Sequence, residues 1–423
     1  MSRAASVERA VADAHRREWA FVLAATVRVA RDLDLAEECV QEAYVTALDA
    51  WKRDGVPERP GAWLTTTAKR KALDALRRGQ TLRSKLPLLV EPYEPDEADM
   101  NDPTVIDTIE GGAVPDDRLR LIFTCCHPAL SREAQVALTL RLICGVGTSD
   151  IAQAFLVSKT TMAARLTRAK KKISAARIPY RVPQARELPE RLDAVLTVIH
   201  LLYTTGHTAP SGERLVRVDL VGRALDLARM LQELMPAERE VRGLLALLLV
   251  TDARRSTRTD AQGRLLLLEE QDRSAWDRYA IEEGHQLVVG ALRGGNAGRY
   301  ALQAAIAALH AQAPSYAETD WPQILVLYDE LLKVWPSPVV ALNRAVAVAE
   351  VRGPEVALRE VETLERDGRL SGYRYLQSTK ADLLRRLGHH HEAAHSYRAA
   401  LDLADNEAER RFLASRLAES SGR

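Results

Sequence analysis

Met162, Leu166, Ala169 and Ile173 recur at i, i+4, i+7 and i+11. A chain with that spacing hides all four residues by forming an α-helix with one apolar seam. The residues around the seam carry charge of a single sign. Between Ser158 and Arg177 there are seven basic residues and no acid: Lys159, Arg165, Arg168, Lys170, Lys171, Lys172 and Arg177. Thr161, Arg165, Arg168 and Lys172 repeat the seam's spacing on a different face. Upstream, Thr148-Ser149-Asp150 is a helix start, followed by Ile151, Ala152 and Phe155 on one face. Leu156-Val157 turns the chain, and Ser158 is placed to cap a second helix beginning at Lys159. A short helix, a tight turn and a second helix with hydroxyls at its start form a helix-turn-helix pattern. Lys159, Thr160 and Thr161 in the first turn can meet base edges in a major groove, while Arg165, Arg168 and Lys172 grip phosphates. The competing reading is a solvated basic face on a bundle. Agreement between the cap, the seam and the unopposed cations favours DNA.

The rest of the chain has the same helical character. At 423 residues it is too long for one core. Only 5% of residues are aromatic, Ala, Leu and Arg abound, and few segments are rich in Val, Ile and Thr, so an all-α fold is expected. Asp34 to Trp51 carries a buried stripe of Val40, Tyr44, Ala47, Leu48 and Trp51. Gly55, Pro57, Pro60 and Gly61 break the chain. A helix from Ala62 to Arg78 then sets Leu64, Ala68, Ala72, Ala75 and Leu76 against Trp63, Thr66, Arg70, Asp74 and Arg77. Lys69 and Lys71 flank this polar side. An aromatic ring among cations suits unstacked bases, but by residue chemistry alone Trp63 is expected in its domain's core.

The net charge of +1 is a cancellation, because Pro87 to Asp117 holds ten acids and no Lys or Arg. With Pro92, Pro95, Pro103 and Gly111-Gly112 this stretch is expected to be an extended acidic linker. Helical periodicity returns at Asp117 and runs to about Ala176, and Pro179, Pro183 and Pro189 mark another boundary. Beyond it Gly353 and Gly388, 35 residues apart, each close one apolar helix and open another. Ala381, Gly388, Ala393, Tyr397 and Ala400 sit at the spacing of a tetratricopeptide unit. The first copy, Val339 to Leu364, matches less well and is one residue short.

Several function classes find no carrier. No run approaches the roughly 20 apolar residues of a membrane helix, and the start has no signal-peptide pattern, so a cytoplasmic protein without membrane contact is expected. Four cysteines (Cys39, Cys125, Cys126, Cys144) are too few for a disulfide scaffold. Cys125-Cys126-His127 lacks zinc-ligand spacing, and His389, His390, His391 and His395 are expected to be a solvated cluster, leaving no metal or other cofactor. The charged segment holding Glu269, Glu270, Asp272, Arg273, Trp276 and Asp277 is expected to be a structural network. No phosphate-cradling Gly loop, nucleophile elbow or HExxH occurs, so catalysis is not expected.

Three segments, taken in order, resemble the extracytoplasmic-function (ECF) class of bacterial sigma factors. Asp34-Leu35-Ala36-Glu37-Glu38-Cys39-Val40-Gln41-Glu42-Ala43-Tyr44 is similar to their polymerase-binding helix. Trp63-Leu64 with Lys69-Arg70-Lys71-Ala72-Leu73-Asp74-Ala75-Leu76-Arg77-Arg78 is similar to the helix that reads and melts the −10 element; many members carry Asn where this chain has Arg70. Ile151-Ala152, Val157-Ser158 and Arg165-Leu166-Thr167-Arg168-Ala169-Lys170 resemble the −35 reader. Leu119 through Leu130 and the long helical tail resemble the subgroup with a tetratricopeptide-like C-terminal extension.

The resemblance implies a region 2-like domain at 7–80, an acidic linker at 81–115, a region 4-like helix-turn-helix domain at 116–177, and a helical extension at 185–423 with repeats near 321–404. It implies core RNA polymerase and promoter DNA as partners. Trp63, Thr66, Lys69, Arg70, Lys71, Arg77 and Arg78 would serve the −10 element. Asp34, Glu37, Glu38, Gln41 and Glu42 would contact polymerase, and the linker would thread its RNA-exit path. The extension would modulate activity through a protein partner or the same chain's own domains. A conventional helix-turn-helix regulator leaves the Trp63 helix and the linker without a purpose, and an enzyme housed in residues 190–420 would need a concave pocket with convergent titratable groups, a convergence the sequence does not offer.

Overall fold

A computed structural model describes residues 3–85, 116–155, 157–209, 212 and 215–422. Most of the expected acidic linker, residues 86–115, lies outside them. The described chain is helical throughout, with two isolated bridges (Gly212 to Asn406, Thr259 to Leu265) and no strand. It divides into two compact units, Met1–Val198 and Ile199–Arg423.

The first unit opens with α1 (Arg3–Ala30), α2 (Leu33–Asp54) and α3 (Pro60–Lys85). Asp32 caps α2 by accepting from the Leu35 amide at 2.7 Å, and α2 stops where the Gly55 N–H donates back to the Trp51 carbonyl. Val22, Leu23 and Val27 of α1, Val40, Ala47 and Trp51 of α2, and Leu64, Ala68 and Ala72 of α3 are buried, which makes a three-helix core. Leu48, Ala75 and Leu76, expected on the apolar stripes, are only half-buried at its edge.

The second half of this unit runs α4 (Asp117–Cys125), α5 (Arg132–Leu138), a π-helical segment (Thr139–Ile143), α6 (Thr148–Ala154) and α7 (Lys159–Ala175). It packs on α1. The Trp19 indole donates to the Leu142 carbonyl (3.1 Å), and the Tyr180 hydroxyl donates to the carbonyls of Ala24 (2.9 Å) and Asp117 (3.3 Å). Cys125 and Cys126 are buried free thiols. Burial pushes both up, Cys126 to about 11, so neither is a thiolate at neutral pH.

The second unit is a succession of helix pairs. After α8 (Leu188–His207), which crosses the boundary, come α9 (Val218–Leu234), α10 (Arg239–Asp252), α11 (Arg278–Leu292), α12 (Arg299–Gln312) and α13 (Trp321–Val334). The chain ends with α14 (Pro338–Arg352), α15 (Pro354–Asp367), α16 (Arg374–Arg386), α17 (His390–Asp402) and α18 (Glu407–Ser421). Gly353 (φ +90°) and Gly388 (φ +82°) make the hinges of α14–α15 and α16–α17, in a backbone region that side chains disfavour. One residue joins the first pair and three the second, a difference of two where the sequence spacing implies one. Ala381, Ala393, Tyr397 and Ala400 are buried between paired helices.

Candidate nucleic-acid interface

The Ser158 hydroxyl accepts from the Thr161 amide at 3.1 Å, capping α7, while Met162, Leu166, Ala169 and Ile173 point into the core. That arrangement leaves Lys159, Thr160, Thr161, Arg168 and Lys172 exposed on the outer face. Arg165 is half-buried, its guanidinium 5.8 Å from the centre of the Phe155 ring. The Thr160 and Thr161 hydroxyls each lie 2.8 Å from the Ser158 hydroxyl, so the exposed start of α7 gathers three hydroxyls and is followed by cations along one stripe, of which Arg165 has Glu133 nearby.

On α3, Trp63 is half-buried and meets the buried Trp51 edge-to-face, centroids 5.8 Å apart. It is therefore held by its neighbour yet keeps ring surface free for another flat group. Thr66, Arg70, Arg77 and Arg78 are exposed and Lys69 half-buried. Arg77 lies 3.8 Å from Asp74, and Lys71 bonds Glu42 of α2 at 3.1 Å.

On α2, Asp34, Glu38, Gln41 and Glu42 are exposed, whereas Glu37 is buried. The Glu37 carboxylate accepts from Gln41 Nε2 (3.1 Å) and Lys170 Nζ (2.6 Å) and pairs with Arg141 of the π segment. Lys170 also reaches Asp34 at 2.7 Å. Burial alone would pull the Lys170 ammonium down, but Glu37 and Asp34 more than offset it and hold it above its ordinary value. One cation of the basic run thus faces inward, joining α7 to α2. The seam itself carries the signal: Lys170 stands four residues after Leu166 and three before Ile173, at the seam's edge. Arg141 has no comparable sequence signal.

Three family models match along the chain, in order. Residues 9–81 match sigma-70 region 2, residues 120–173 match sigma-70 region 4, and residues 191–292 match a family of unknown function (DUF6596). The uncharacterized protein R00370 of Rhizobium meliloti (strain 1021) is 43% identical over 399 residues, covering 93% of this chain and 92% of that protein. The chain is an ECF-like sigma-70 factor with a C-terminal extension. All but the last two residues of the capped α7 fall in the region 4 match, and the region 2 match takes in most of α1 and α3 and the whole of α2. A sigma-70 factor acts in promoter recognition, with core RNA polymerase and promoter DNA as its partners. Among the described residues no helix is long and apolar enough to cross a membrane.

Proposed function

We propose that this sigma factor reads promoters with two separate helices and that its extension sets when it does so. α7 is the −35 reader, with Lys159, Thr160 and Thr161 on base edges and Arg165, Arg168 and Lys172 on phosphates. α3 serves the −10 element: Trp63 stacks on an unpaired base while Thr66, Lys69, Arg70, Lys71, Arg77 and Arg78 hold the strand. Asp34, Glu38, Gln41 and Glu42 meet polymerase from α2, and Glu37 joins them once Lys170 and Arg141 release it. These roles assign residues 7–80 and 116–177 to the two readers, 81–115 to the acidic linker between them and 185–423 to the extension, working in the cytoplasm beside polymerase.

The observation that carries the reading is α7 itself, a Ser158-capped helix with its apolar seam buried and its cations outward. The test is transcription in vitro with core RNA polymerase on the gene's own upstream region. Transcripts that require the full chain and fall at least tenfold in Arg168→Ala and Trp63→Ala support the assignment. Duplex binding by the protein alone, with no dependence on polymerase, would overturn it. A chain ending at residue 178 then reports whether the extension activates or restrains.

A further inference from the structure

The second unit holds an open cavity of about 770 Å³ whose walls come from residues 247–416. That volume lies in the range of small-molecule sites, roughly 300–1,000 Å³. Its lining combines the aromatic faces of Tyr316, Trp321 and Tyr328 with the guanidinium of Arg254 and the imidazole of His310.

Charges on the wall are mostly settled among themselves. Arg386 bonds Glu350 at 2.7 Å, Arg385 bonds Asp382 at 2.7 Å, and Arg416 bonds Glu419 at 3.1 Å. Glu269 stands exposed at the rim. Arg254 is different. It lies deep in the protein, yet it keeps solvent-accessible surface because that surface faces the cavity. The groups acting on it electrostatically are Tyr203, Arg273 and Tyr328, with no carboxylate among them. Among the described residues its guanidinium has no hydrogen-bond or ion-pair partner.

Two further features point the same way. His310 Nδ1 is buried without a partner. Arg273, bonded to the carbonyls of His310 and Ala313, adds a second positive charge behind the wall. A buried guanidinium with its donors unused is costly unless something supplies acceptors, and its planar fork matches a carboxylate bidentately.

We propose that this cavity is a binding site for a small organic carboxylate with a flat ring, its carboxylate held by Arg254 and its ring among Tyr316, Trp321 and Tyr328. The site would give the extension a chemical input. Its existence does not depend on the promoter-reading assignment, since the test needs no polymerase.

The experiment uses the full chain, with benzoate as probe and benzamide as its neutral counterpart. Binding is followed by calorimetry and by the fluorescence of Trp321. Benzoate is expected to bind at least tenfold more tightly than benzamide, and Arg254→Met to remove that preference. The unliganded Arg254→Met protein is expected to be about as stable as the parent, because among the described residues the guanidinium makes no hydrogen bond or ion pair that would be lost. Equal binding of the two probes, or no binding of either, overturns the proposal, as does a loss of unliganded stability in Arg254→Met. A peptide ending in a free carboxylate that binds where benzoate does not would also overturn it in favour of a peptide groove.

Discussion

The inward-facing Lys170 gives a perturbation whose size can be worked out. Lys170→Met keeps the aliphatic stem and removes two charge-assisted bonds, to Glu37 at 2.6 Å and Asp34 at 2.7 Å. The Asp34 half counts for little, because that carboxylate is 65% exposed. The Glu37 half counts for more, since Glu37 is only 7% exposed. Breaking a buried pair usually costs about 3–5 kcal/mol, but here Arg141 and Gln41 still satisfy the carboxylate. The expected loss is about 2 kcal/mol, or about 30-fold in the equilibrium for separating α7 from α2.

Hydrogen exchange on the full chain reads this locally, as faster exchange of amides in α7 and the π segment under conditions where closing outpaces intrinsic exchange, so that the rate reports the opening equilibrium. Glu37→Gln and the double variant close a cycle whose coupling should be about 1–2 kcal/mol. Lys171→Met, which alters an exposed side chain, is the control and should stay within about 0.5 kcal/mol of the parent. A coupling below about 0.3 kcal/mol, or equal effects of the two lysine variants, would refute the reasoning.

Three further outcomes are expected. In the polymerase complex, Arg168→Ala should weaken −35 duplex binding and lower the slope of log affinity against log salt by about 1, measured by anisotropy across a salt series; an unchanged slope would place Arg168 off the phosphates. Gly145→Ala should cost about 2 kcal/mol in the first unit, because φ is +65° and the new Cβ would sit 2.8 Å from the His15 ring and 3.0 Å from that of Trp19; a melting curve matching the parent would contradict this. His200 and His310 are pushed down to about 4, chiefly by burial and then by neighbouring arginines. Both stay neutral when folded while the unfolded chain takes up protons below about pH 6.5, so the stability they leave intact above that pH is lost as pH falls toward 4, each by about 2 kcal/mol at pH 5. The gap between urea midpoints at pH 7 and pH 5 should narrow in a His200→Gln, His310→Gln variant, the remainder coming from His207, which burial and then Arg258 also push down, and a parental pH dependence in that variant would rule the mechanism out.

The features legible in the sequence were those decided within one helix. α7 could be placed because its cap, seam and cations lie within 20 consecutive residues, and the hinges at Gly353 and Gly388 because only glycine readily takes their backbone angles. The pairing of Glu37 was not legible. Its cations stand more than 100 residues downstream, and a glutamate on an acidic helix looks the same whether it faces solvent or Lys170. Trp63 was divided between core and surface readings for a similar reason: its edge-to-face contact with Trp51 makes it both. The cavity around Arg254 was invisible because its walls are drawn from segments spread over 170 residues, and an arginine without an acceptor can be recognised only once every neighbour is in place.

The π segment at Thr139–Ile143 gives this ion pair an unusual genetic sensitivity. A π turn is an α-helix carrying one residue too many: the Cys144 N–H reaches back five positions to Thr139 instead of four. Removing a single codon there would let the helix close with ordinary bonds, so the chain would gain regularity. The same deletion would turn the residues before it by about 100° against those after it and swing Arg141 off Glu37. Any lineage that lost this residue would keep α5 and α6 and lose Arg141's share of the link to α2, leaving Lys170 to hold Glu37 without it, so the length of this turn, more than the identity of its residues, sets how firmly that carboxylate is held.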